Sequence, residues 1–266
     1  MKLFISADIE GCVGTTLASE THKETPEYRQ FAKRMTEEVR IVCQAALEAG
    51  ADEIVVKDGH GDATNIDFTA MPEGVTLIRG KSGHPYNMMF GLDETFDGVL
   101  YVGYHAPAGN GGNPISHTST GNSNQILLNG KVMSEFMLNT YTAAMMGVPA
   151  VFISGDEGIC GLAREMVPGI TTAAVKRGVG ASTINMSVAA ADRLLKEKVK
   201  EALGRDLKAC RITMPEEFEY VVNYKDLKKA YQMSFFPGAE RVDERTNRVV
   251  SRDYKDIVTA HSFMVY

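Results

Sequence analysis

The sequence predicts an α/β fold: a mostly parallel sheet flanked by helices, with a smaller C-terminal α+β portion. Three observations lead there. Short apolar strands alternate with helix-patterned segments over the first two thirds of the chain, and that alternation marks a sheet covered on both faces. The strands are separated by helical stretches, with one short hairpin signal at Asn129-Gly130. After Gly204 the pattern changes to shorter strand and helix pieces.

The elements follow in order. Leu3–Ala7 reads as a buried strand. Thr25-Pro26 marks a helix start, with Thr as N-cap and Pro in the first helical position. Phe31, Met35, Val39, Val42 and Ala46 recur at helical spacing until Gly50. Glu53–Val56, Thr76–Ile78 and Val99–Val102 are further strands. Asn124–Leu128 and Val132 flank the hairpin turn. Glu135–Met146 is a helix, Ala150–Ile153 a buried strand, and Glu157–Met166 a short helix. Thr171–Val175 is a strand and Ile184–Leu203 a helix. A soft boundary at Gly204–Asp206 divides a larger α/β domain (1–204) from a small α+β subdomain or sheet extension (205–266). The latter holds strands at Ile212–Met214, Phe218–Val222 and Val249–Ser251, and helices at Lys225–Met233 and Tyr254–Ala260.

Composition excludes several classes. The 266 residues carry 28 Lys and Arg against 34 Asp and Glu, a net charge of −6. An acidic chain without a basic run is a poor nucleic-acid partner. No apolar stretch approaches the ~20 residues of a membrane span. No basic leader or cleavage site precedes the first strand, so no signal peptide is expected. Cys12, Cys43, Cys160 and Cys210 are widely spread without a CxxC pair, which suits reduced structural thiols in a cytoplasmic protein.

In parallel sheets, sites form beyond the carboxyl ends of the strands, and four such segments carry metal-type ligands. Asp8 and Glu10 follow the first strand; in extended backbone i and i+2 point the same way. His60 lies between two glycines after the second strand. His105 follows the strand at Val99–Val102, and Glu135 opens the helix after the hairpin. Each has a plainer reading: a solvated turn acid, a buried core histidine, a glutamate favoured by the helix dipole. Together they form a mixed N/O donor set that suits zinc and also Mn, Co or Fe. Five donors exceed one tetrahedral zinc and suit two metals ~3.5–4 Å apart with one bridging carboxylate. Asp8 is the expected bridge. His117, in the glycine-rich stretch 109–121, reads as a general acid/base, a nucleophile, or a residue of a surface loop. Asp156 reads as a helix cap, and His22, His84 and His261 as structural.

These segments together resemble the DppA-type D-aminopeptidases, a family of zinc-dependent peptidases. The motifs are Ser6-Ala-Asp-Ile-Glu-Gly11, Asp58-Gly-His-Gly-Asp-Ala-Thr-Asn65, Gly103-Tyr-His-Ala106, His117-Thr118, Ser134-Glu135, Ser154-Gly-Asp156 and Ala174-Val-Lys-Arg-Gly178. The resemblance covers much of the first ~185 residues. It implies two zinc ions per chain on Asp8, Glu10, His60, His105 and Glu135, with His117 catalytic. It also implies short-peptide substrates with an N-terminal D-residue such as D-Ala, and a ring-like homo-oligomer. Metal-assisted amide hydrolysis is the expected reaction. Two other classes compete. Asp8-Ile-Glu10-Gly11 with Thr15-Thr16 looks somewhat like the start of a magnesium-dependent haloacid-dehalogenase-like phosphatase, with Gly155-Asp156 as its later motif; that family gives no task to His60 or His105. A non-catalytic metal- or small-molecule-binding module is the third reading. Gly11-Cys-Val-Gly14 does not meet the dinucleotide pattern.

Overall fold

The computed structural model describes all 266 residues. The first apolar run forms β1 (Lys2–Ala7). The helix after it, α1 (Tyr28–Glu48), begins later than the Thr25-Pro26 signal predicts. The Thr25 hydroxyl donates to the His22 carbonyl at 2.6 Å and bonds the Ser19 carbonyl as well, which closes a turn instead of capping a helix. Met35, Val39, Val42 and Ala46 then face the core as their spacing predicts. β2 (Glu53–Asp58), β3 (Val75–Ile78) and β4 (Gly98–Tyr104) follow. β5 (Ser123–Leu128) and β6 (Lys131–Val132) pair with Leu128 opposite Lys131. Between them Asn129 and Gly130 take φ of 51° and 73°, as a two-residue hairpin turn needs.

α2 (Glu135–Met145), β7 (Ala150–Asp156), α3 (Glu157–Met166) and β8 (Thr171–Val179) match the predicted order. The next helix does not start at Ile184. Residues Ser182–Asn185 form β9, which turns back on β8 with Val179 opposite Ser182. Ile184 is half exposed there, so its apolar side chain does not mark a buried helix face. α4 (Val188–Leu203) starts behind Ser187, whose side chain accepts from the Ala190 N–H. β10 (Phe218–Tyr224), α5 (Leu227–Met233), β11 (Ala239–Arg241), β12 (Thr246–Ser251) and α6 (Tyr254–Met264) complete the chain. The strand expected at Ile212–Met214 is absent. That segment passes between two cores, Ile212 packing on the larger and Met214 on the smaller, with no neighbouring strand to pair with.

Two sheets result. The larger has the order β3-β2-β1-β4-β7-β8-β9, parallel throughout except for β9. α1 and α2 lie against β4, and α2, α3 and α4 against β7, so the central strands are covered by helices and their burial is near-continuous. The smaller sheet, β11-β12-β10-β5-β6, is antiparallel and draws on chain before and after residue 204. α2 and α6 contact each other, and both contribute buried side chains to the smaller core. No helix is long and apolar enough to cross a membrane.

Strand order in the larger sheet reverses between β1 and β4, and a crevice opens at such a reversal. The chain leaving β1 there crosses the end of β4 almost in contact. The Gly11 N–H donates to the Gly103 carbonyl at 2.8 Å. A Cβ on Gly11 would sit 1.8 Å from the Tyr104 carbonyl oxygen, and one on Gly103, at φ 71°, 2.3 Å from that of Asp8. Gly11→Ala is therefore expected to cost at least about 2 kcal/mol, because backbone rather than a mobile side chain must yield. Urea unfolding checks this against Gly121→Ala, where the added methyl meets nothing within 4 Å and the change should stay within about 0.5 kcal/mol.

Candidate metal centre

The reversal point gathers the predicted donors from separate strand ends. Asp8 and Glu10 follow β1, His60 follows β2, His105 follows β4, and Glu135 is the first residue of α2 behind its Ser134 cap. Asp8 Oδ1 lies 3.3 Å and Glu10 Oε2 3.0 Å from His60 Nδ1. On the other side, Asp8 Oδ2 lies 3.4 Å and Glu135 Oε1 3.7 Å from His105 Nε2. Asp8 thus turns one oxygen to each imidazole. His117 stacks on His105, with ring centroids 4.4 Å apart, and its Nε2 is 3.8 Å from Glu135 Oε1. Asp8, Glu10, His60, His117 and Glu135 line a cavity of about 640 Å³; His105 is buried behind them. All six predicted residues are therefore brought together.

Each imidazole is fixed by a backbone carbonyl. His60 Nε2 is 2.8 Å from the Thr21 oxygen, His105 Nδ1 2.9 Å from Ala106, and His117 Nδ1 3.0 Å from Ile115. A carbonyl only accepts, so those nitrogens carry the protons of the neutral rings. The opposite nitrogens then present lone pairs to carboxylate oxygens. Lone pair against carboxylate at 3.0–3.8 Å is repulsive unless a cation or a proton lies between them. Glu10 Oε2 and His105 Nε2 are buried with no hydrogen-bond partner, although such groups are costly to leave unpaired.

The acid–base balance of the site carries the same tension. Burial opposes charge on His60, yet Glu10 and Asp8 raise its pKa well above the usual imidazole value. Burial likewise opposes charge on His105, but Glu135 lifts it to about 10. Burial and then Glu10 push Asp8 up to about 7. Glu135 is held at about 2 by His105 against the opposing effect of burial. Protons fill the positions that cations would take. Two groups of donor atoms, Asp8–Glu10–His105 and His105–His117–Glu135, each fall within 4.8 Å. The mixed carboxylate–imidazole chemistry fits zinc-type dications.

Residues outside the predicted set hold the donors in place. Asp58, at the end of β2, accepts from the Asn65 and Ile66 N–H groups at 2.6 and 2.8 Å and from Asn65 Nδ2 at 2.8 Å. Asn65 Nδ2 also reaches the His60 carbonyl at 2.7 Å and shapes that loop. Lys176, buried on β8, donates to the Glu10 and Thr15 carbonyls. Asp156 caps α3 through the Ile159 N–H at 2.8 Å, as expected, and its other oxygen accepts from the Ala106 N–H at 2.9 Å and Asn113 Nδ2 at 3.1 Å. Asn113 in turn donates to the Glu10 carbonyl. His261, read from the sequence as structural, bonds residues of both the smaller core and the site loop. Its Nε2 meets the Ser119 hydroxyl at 2.8 Å and its Nδ1 the Tyr220 hydroxyl at 2.9 Å, while the Ser119 N–H donates to Glu135 at 2.6 Å. Nothing in the spacing of Lys176 or His261 ties them to the site, because Lys176 meets Glu10 and Thr15, and His261 meets Ser119, across more than 100 residues of chain.

Fold and site together define an α/β protein with a buried acid–imidazole centre of the metallohydrolase kind. The chain belongs to the M55 peptidase family, described as D-aminopeptidases, whose model matches residues 1–263. It is 31% identical over 266 residues to a D-aminopeptidase of Bacillus subtilis (strain 168), covering 100% of this chain and 96% of that one. A solved structure, described as the Zn-dependent D-aminopeptidase DppA from Bacillus subtilis, a self-compartmentalizing protease, superposes with a TM-score of 0.94. It is 29% identical, over 100% of this chain and 97% of its own. The phosphatase alternative falls with this family membership. Its later acid, Asp156, is also committed to three hydrogen bonds.

Asp156→Ala leaves the Ala106 and Ile159 N–H groups and the Asn113 amide without their acceptor. It is expected to cost at least about 2 kcal/mol. Asp156→Asn, which keeps a capping oxygen, should cost less. Urea denaturation of the two variants checks the order.

Proposed function

We propose that the protein is a dizinc aminopeptidase that removes an N-terminal D-residue such as D-Ala from short peptides. One observation carries the reading: three imidazoles, each anchored to a carbonyl, turn their free nitrogens toward three buried carboxylates. The naming of the similar structure as Zn-dependent supports zinc.

Asp8, Glu10, His60, His105 and Glu135 would hold the two cations, and Asp8, which turns one oxygen toward His60 and the other toward His105, is the carboxylate shared by both sides of the site. When bound, the pair supplies Lewis acidity toward a scissile carbonyl and an acidified water. The chain's own residues do the rest. The acid-rich cavity wall attracts the substrate's terminal ammonium. His117 is the most open of the three imidazoles, a quarter exposed against 12% for His60 and 1% for His105. With its proton on Nδ1 toward Ile115, its Nε2 is free to take a proton from the attacking water and pass it to the leaving amine. Stacking on His105 fixes the plane of that ring. We further infer a homo-oligomer. The similar structure is described as self-compartmentalizing, and Val179, Ile184 and Val188 stand half exposed around the antiparallel edge of the larger sheet.

Elemental analysis of purified protein is expected to give close to two zinc per chain. Chelation should abolish release of the amino-terminal residue from D-alanyl peptides, and L-alanyl peptides should be cleaved far more slowly. Protein that cleaves nothing at full zinc content would instead indicate a binding module. Variants separate the roles. His60→Ala should lower metal content, because it removes a ligand and leaves Asp8 and Glu10 facing each other. His117→Ala should keep its zinc and lose about a hundredfold or more in kcat. Full metal occupancy in His60→Ala would overturn the ligand assignment.

A further inference from the structure

The geometry points to Lys81, backed by the ring of Tyr266, as the subsite for the free carboxylate of the substrate, so that the cavity selects dipeptides. This rests on the aminopeptidase reading and names its substrate class more closely. The cavity is lined by the acids Asp8, Glu10, Glu24, Asp62 and Glu135 and by two lysines. Lys23 is already paired, its Nζ lying 2.6 and 2.7 Å from the two Asp62 oxygens. Lys81 has no carboxylate partner; its Nζ lies 4.7 Å from the centre of the Tyr266 ring, which stabilises an ammonium without neutralising it. Lys81 lines the cavity while keeping contact with solvent, and the carboxylates whose field it feels, Glu135, Asp8 and Asp62, stand on the walls of the same cavity.

The backbone beneath Lys81 is pinned. The Gly80 N–H donates to the Ala63 carbonyl at 2.6 Å, and the Gly80 carbonyl accepts from the buried Lys57 Nζ at 2.9 Å. An unpaired cation on a fixed loop is arranged for an anion that arrives with a ligand. A dipeptide bound by its amine end spans only about 7 Å, so its carboxylate must enter a cavity that otherwise repels it. A longer peptide can leave its carboxylate in solvent. Lys81 therefore favours the shortest substrates.

The test uses the zinc-loaded full chain with D-alanylglycine and its C-terminal amide. Wild-type protein is expected to prefer the acid. In Lys81→Met the acid-to-amide ratio of kcat/KM should fall about tenfold or more, mainly through KM, and Lys81→Arg should restore most of it. Calorimetric binding of the reduced-amide dipeptide, which cannot be hydrolysed, should weaken by a similar factor in Lys81→Met for the acid form. Equal treatment of acid and amide by the wild type, or an equal loss on both in Lys81→Met, would overturn the assignment. Cleavage of neither compound by wild-type protein would overturn the aminopeptidase reading itself and this assignment with it.

Discussion

Carboxylates and imidazole lone pairs are packed together out of water at the mouth of the larger sheet, and the local architecture is organised around that crowding. Asp8, Glu10 and Glu135 are all nearly fully buried. Acids so placed resist joint ionisation, and burial beside Glu10 accordingly pushes the Asp8 pKa up to about 7. Positive charge between the groups relieves the repulsion. Protons do so partially; a pair of dications would satisfy the lone pairs and the unpartnered oxygen together. The centre is thus a costly arrangement that gains from a ligand, and the scaffold must hold it against its own repulsion.

That holding is distributed over backbone anchors. Gly11 and Gly103 let the ends of β1 and β4 touch, which sets the Asp8–Glu10 turn against His105. Asp58 and Asn65 tie the His60 loop back to β2. Asp156, Asn113 and Lys176 grip the Glu10 and Ala106 backbone from the far side. These groups act on backbone positions, so they fix where the side chains of the acid–imidazole cluster start. The smaller sheet contributes in the same manner. Its β5–β6 hairpin delivers the chain to Ser134 and Glu135, and its core supplies Tyr220 and His261, which reach Glu135 through Ser119. The second sheet is therefore a wall of the site as well as an appendage to the first.

Much of this was legible in the chain. Strand ends carrying Asp8-x-Glu10, His60 between glycines, and His105 after an apolar run point to one pocket because parallel strands end on one side of a sheet. The Asn129-Gly130 hairpin and the Glu157–Met166 helix are local signals and came out as local structure. Three local readings were overridden. Thr25 spent its hydroxyl on the carbonyls of a preceding turn, Ile184 went into an edge strand, and Ile212–Met214 found no partner strand.

The sequence by itself determined which residue types stand at the strand ends, and with them the donor chemistry and the family resemblance. These depend on spacings of a few residues and on a rule of sheet geometry. Only the tertiary structure decided that Asp8 faces two imidazoles, that each imidazole donates its proton to a carbonyl, and that Lys176, His261 and Lys81 belong to the same neighbourhood. Apart from the carbonyls of His105 and His117, which lie one and two residues away, those facts rest on contacts between residues far apart in the chain, whose partners are chosen by packing rather than by any local pattern.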